Sequence, residues 1–147
     1  MREILYQAKR KDNWGWVEGL PSYGLDGKIT EMECLKKIPG EDIPEIEYIE
    51  IDPETLCQYM GLTDKNVRKI FEGDIVKNKQ GELRKVEYWP SMCRFVLVTN
   101  IGTWDGVEVD YDTDYDTDYD TQQLVCSELE VIGNIFDNPE LIEEVVE

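Results

Sequence analysis

The side chains that could do chemistry in this chain are carboxylates and thiols, because it contains no histidine. The commonest general base and the commonest metal ligand are therefore missing together. Four cysteines, Cys34, Cys57, Cys93 and Cys126, stand far apart with no C-x-x-C pair. A zinc site needs cysteine or histidine ligands at short spacings, and a cysteine nucleophile needs a base beside it. Cys57, next to Leu56, reads instead as a small buried hydrophobe, and the other three are read the same way. With 33 acidic residues in the chain, carboxylate adjacency is no sign of hydrolase chemistry. The phosphate loops G-x-x-x-x-G-K and G-x-G-x-x-G do not occur. No catalytic residue, cofactor or resident metal is assigned, and the chain is read as a non-enzyme.

The densest carboxylate array is residues 110–121, DYDTDYDTDYDT, three copies of a four-residue unit. Asp110, Asp112 and Asp114 match the opening of an EF-hand loop, but Tyr115 stands where the turn needs glycine and Thr121 where a bidentate glutamate belongs. That excludes an EF-hand. What remains conceivable is weak divalent binding by Asp110, Asp112, Asp114, Asp116, Asp118 and Asp120. In an extended strand these carboxylates share one face at about 6.8 Å intervals, close to backbone phosphate spacing. The alternative reading of the protein is therefore an acidic inhibitor that mimics nucleic acid. The plainer reading of the tract is a tandem expansion in a surface loop, where added length costs little.

The net charge of −18 and a pI near 4.2 repel phosphate backbones, so nucleic acid is not an expected partner. A basic protein partner is compatible with that charge, as is a role in solubility alone. The opening MREILYQAKRKDN turns to charge after a few apolar residues, which does not suit a secretory signal. No apolar run is long enough to span a bilayer. Unpaired cysteines and these absences give an expected place in the cytoplasm, with no membrane contact. Trp14 and Trp16 fall on one strand face, either as core or as a platform for a peptide.

Around these residues the pattern is mainly β. An N-terminal hairpin is expected from residues 2–8 and 14–18 around the charged turn 9–13, with loop over 20–27. Residues 28–35 suit a strand or a helix equally, and 46–51 a strand. Asp52, Pro53 and Glu54 are the cap, first position and acidic first turn of a short helix expected to run to Gly61. Asn138, Pro139 and Glu140 repeat the device before a terminal helix through Leu141, Ile142 and Val145. Between them, strands are expected at 73–77, 83–89, 94–99 and 130–136, with a tight turn at Gln80-Gly81. Glu72 and Asp74 read either as polar site residues or, more plainly, as caps of the turn. The expected fold is an SH3-like barrel or strongly bent antiparallel sheet with short helices. One domain covers 1–147: a hairpin and loop layer over 1–50, helix and barrel over 51–147, and an acidic insertion near 105–123.

Three ordered blocks resemble the signature of the YopX family of small phage and prophage proteins. Arg2, Ile4, Tyr6 and Ala8 with Trp16-Val17-Glu18-Gly19 look like its opening hairpin. DPETLCQYMGLTDKNVRKIFEGDIV over 52–76 looks like its central block, and VIGNIFDNPEL over 131–141 like its ending. The resemblance implies a mainly β domain with an SH3-like barrel, phage or prophage origin and self-association as a homo-oligomer. It carries no established activity and no site residues. Val67 departs from the pattern, standing after Asn66 where similar proteins have glycine, and the DYDT tract has no counterpart. The function this implies is a phage accessory protein that binds proteins or self-assembles.

Overall fold

In the computed structural model, residues 3–13, 15–91, 93–98, 104–108 (backbone only) and 128–142 are described, and the chain divides into two compact units, Met1–Tyr59 and Met60–Glu147. In the first unit, β1 (Tyr6–Lys9) and β2 (Trp16–Tyr23) form the expected hairpin, with Ala8 opposite Val17. β2 runs on through Pro21 to Tyr23, where a loop was expected. Proline is tolerated there because β1 ends its register at Tyr6 and Gly19, so no second neighbour needs an N–H from Pro21. β3 (Ile29–Lys36) settles the undecided segment as a strand, and β4 (Glu45–Glu50) pairs along its length. The sheet bends far enough that Arg10 and Ile51 form an antiparallel bridge. Its inner face buries Ala8, Met32, Cys34 and Ile51, with Val17, Ile49 and Leu56 packed against them.

The helix expected over 52–61 is a single 3-10 turn, Pro53–Thr55, followed by β5 (Cys57–Thr63). Asp52 does cap it, accepting from Glu54 N at 3.1 Å. The turn stops because Thr55 is held from both sides. Its hydroxyl donates to Asp52 O at 2.7 Å and accepts from Lys9 N at 2.8 Å. Leu56 is already extended, and Cys57 and Gln58 pair with Gln7 and Tyr6. Strand pairing supplies more than so short a helix could. The expected terminal helix is likewise one 3-10 turn, Pro139–Leu141, and Val145 lies outside the described residues. Asn138 makes no cap there; its Oδ1 instead accepts from Asn134 N, in space that the missing Cβ of Gly133 leaves open.

In the second unit β5 continues beside β6 (Lys69–Phe71), a strand absent from the expected set. A separate antiparallel sheet has the order β10-β9-β8-β7-β11. Its strands are β7 (Asp74–Lys77), β8 (Leu83–Trp89), β9 (Arg94–Val98), β10 (Trp104–Glu108) and β11 (Glu130–Asn134). Met60, Leu62 and Ile70 of β5 and β6, with Val76, Val86, Phe95, Leu97, Leu129 and Val131, form the core of this unit. The described residues thus hold two antiparallel sheets and no α-helix. Among the described residues the expected SH3-like barrel does not close: β10 and β11 are the two outer strands of their sheet.

The β5–β6 connection explains what a valine does in place of glycine. Val67 N donates to Asp64 O at 3.0 Å and Val67 adopts φ +62, a left-handed conformation that a β-branched residue resists. A hairpin of this kind places glycine at that position. Val67 is 80% exposed, so it returns little packing. Val67→Gly is expected to raise stability by about 1 kcal/mol, as a higher midpoint in urea denaturation.

Candidate functional site

The candidate chemical groups fall partly outside the described residues. Cys34 and Cys57 are buried as expected, whereas Cys93 is exposed, because it lies in the turn between β8 and β9 and not on a packed strand; Cys126 lies outside the described residues. Burial pushes the Cys34 thiol above its usual range, away from thiolate reactivity. Asp110, Asp112, Asp114, Asp116, Asp118 and Asp120 all lie outside the described residues, as does Trp14. Trp16 lies under the Lys9 ammonium, 5.7 Å from it. Among the described residues, no cluster of three potential metal ligands exists, and no helix is long and apolar enough to cross a membrane.

Two buried carboxylates, Asp64 and Asp74, are the polar heart of the second unit. Asp64 was legible only as part of a family block. Its Oδ1 accepts from Asn66 N at 2.8 Å and Arg68 N at 2.9 Å, and its Oδ2 from Val131 N at 2.9 Å. One side chain thereby closes the β5–β6 turn and ties it to β11. Asp74 caps its turn as expected, accepting from Phe71 N at 2.8 Å. Desolvation pushes its carboxyl from 3.8 up to about 7, against the lowering effect of the Phe71 N–H and of Arg68; Asp64 adds a smaller upward push. A neutral carboxylic acid near pH 7 is what general acids need. Here both groups accept from backbone N–H groups, Asp64 from the β5–β6 turn and β11 and Asp74 from Phe71.

The feature built for contact is the solvent face of the first unit. Side chains alternate across a strand, so burying Met32 and Cys34 turns Glu33 and Leu35 outward. Leu35 stands opposite Ile46, and Glu33 opposite both Leu20 and Tyr48. Leu20, Leu35, Ile46 and Tyr48 are 43%, 75%, 55% and 55% exposed. With Leu5, three of them (Leu20, Leu35 and Ile46) line a cavity of about 460 Å³ whose polar wall is Glu18 and Glu33. Gly19 also lines it, and a Cβ there would sit 2.3 Å from Glu33 O, so β2 and β3 approach too closely at this point for a side chain. The Tyr48 hydroxyl donates to Glu33 Oε1 at 3.4 Å. The arrangement can desolvate an apolar side chain and hold a cation beside it. Sequence reasoning placed two of these strands but missed the site, since only the register joins residues so far apart along the chain.

Comparison with known proteins follows from this geometry. The model of the YopX protein family matches residues 6–143. Among curated proteins nothing matches. A solved structure, that of protein EF1440 from Enterococcus faecalis, is similar over 97% of this chain and 100% of its own, with a TM-score of 0.59 and 22% identity. At that identity the likeness concerns the fold.

Proposed function

The chain belongs to the YopX family, and from that premise we propose that it is a non-enzymatic phage or prophage accessory protein that acts by binding a basic protein. The observation that carries this is the exposed row of Leu20, Leu35, Ile46 and Tyr48 beside Glu18 and Glu33. Apolar side chains lined up on an otherwise charged face mark an interaction surface. Burying one such side chain in a partner is worth about 1.5–3 kcal/mol. The glutamates then choose the partner. A second copy would bring its own Glu18 and Glu33, and like charges inside an interface cost binding, so this face suits lysine- and arginine-rich protein. The chain's net charge of −18 adds long-range attraction of the same sign.

Immobilised protein tests the reading against the Leu35→Glu variant, which alters an exposed position and leaves the core intact. Wild type is expected to retain a basic protein from bacterial lysate, and the variant to lose about tenfold or more of it. Equal retention by both, or retention of acidic proteins only, would refute the reading.

A further inference from the structure

We propose that the outer edge of β4 is a strand-addition site for an extended segment in which Lys or Arg alternates with apolar residues. The proposal rests on the docking face just described and names the form in which the partner arrives.

Among the described residues β4 is the end strand of its sheet. Which of its backbone groups face outward follows from hydrogen-bond phase. Ile51 N donates to Thr30 O at 3.0 Å. In an antiparallel ladder bonded and non-bonded pairs alternate, so Ile49, Glu47 and Glu45 bond to β3. Ile46, Tyr48 and Glu50 then turn their N–H and C=O groups away from it. Glu50 confirms the phase, because its carbonyl accepts from Lys11 N at 3.1 Å. Lys11 thereby closes one end of the edge and leaves Ile46 and Tyr48 to offer the donor and acceptor pattern a new strand needs. A cleft of about 320 Å³ lies against this edge; Arg10, Lys11 and Asp12 form its far wall, so the cations of an added strand belong toward Glu45, away from that wall.

The side chains specify what fits. Natural edge strands are guarded by lysine, proline or bulges; here Lys11 guards Glu50 at 3.4 Å, and the rest of the edge carries Glu45 and Glu47, with Arg10 beside Glu47. An added strand would set alternate residues beside Ile46 and Tyr48 on the outer face, next to Leu35. Its intervening residues would stand beside Glu45 and Glu47. Apolar residues suit the first set and cations the second. Self-pairing of two β4 edges would instead bring glutamates together.

The test is fluorescence anisotropy of a labelled peptide, Lys-Val-Lys-Val-Lys-Val-Lys, with the full chain at about 150 mM salt, where loose charge attraction is screened. Tyr48→Pro is the informative variant: it removes an outward N–H, and edge proline spares the β3 ladder. Circular dichroism and the thermal midpoint check that it stays folded. Saturable binding is expected, weakened roughly tenfold or more by Tyr48→Pro and by Glu47→Lys, and absent when glutamate replaces lysine in the peptide. Equal binding of a peptide with its lysines and valines in separate blocks would overturn the proposal, as would no binding by wild type. If Leu35→Glu loses the peptide while Tyr48→Pro keeps it, strand addition falls and the docking face stands. If neither variant changes binding, both fall.

Discussion

Asp64→Ala is expected to cost about 3–5 kcal/mol and to leave the second unit largely unfolded near 37 °C. The carboxylate accepts three backbone N–H bonds, from Asn66, Arg68 and Val131. Its removal strands donors in a site where Asp64 itself is 3% exposed. A buried donor left without an acceptor costs about 1–3 kcal/mol, and hydrogen bonds to charged groups lie at the upper end of the scale. Alanine also frees the Val67 turn, whose left-handed residue persists only because its neighbours hold it. Asp64→Asn keeps an acceptor but puts an amide where one oxygen was, so its loss should be smaller. Urea denaturation followed by tryptophan fluorescence and far-ultraviolet circular dichroism checks both. A loss under about 1 kcal/mol for the alanine variant would show that water replaces the side chain.

Asp74 supplies the second large effect, and its sign is opposite. Its carboxyl titrates at about 7 in the folded chain against 3.8 in the ordinary case. The fold therefore prefers the protonated form. The stability it contributes is complete below about pH 4, falls as pH rises toward 7 and is gone above it. Integrated over that window the change is on the order of 4 kcal/mol. Asp74→Asn keeps an oxygen to accept from Phe71 N and has no charge to desolvate. It should match wild type near pH 4 and exceed it by roughly 3–4 kcal/mol at pH 8. Unfolding free energies of the two proteins across this range, taken as differences, cancel the other titrating groups. A constant difference would place the Asp74 titration elsewhere.

How far the sequence foretold these features depends on the distance over which each is decided. β8 and β9 were readable because Leu83–Trp89 and Arg94–Val98 carry their own β-forming residues and a turn marks their boundary. The Asp52 cap was readable too, since it is a bond between near neighbours. What followed it was not. Whether residues after Thr55 coil or extend is decided by Lys9 and by the pairing of Gln58 with Tyr6, far away along the chain. At the other end the expected cap failed for a different cause: the Asn138 side chain serves Asn134, behind it, and not the turn it precedes.

The candidate face was the least legible part. Leu20 sits in a segment that Pro21 and Gly24 mark as loop, and Leu35 in one whose pattern left helix and strand open. Only the β2–β3–β4 register sets Leu20 and Tyr48 against Glu33, and Ile46 against Leu35. The same register shows which edge groups of β4 point outward. The Val67 departure, by contrast, was visible as a residue-type anomaly, and its physical meaning needed only a dihedral angle.

Site-specific photo-cross-linking tests the central claim, that the outer face of the first unit docks a basic protein. A photoreactive phenylalanine analogue would replace Ile46 on that face in one sample and exposed Val67 in another. Irradiation in host cells is expected to give adducts with a basic protein from position 46 and none from position 67. Adducts with that protein from position 67 alone, or adducts at 46 solely with a second copy of this chain, would contradict it.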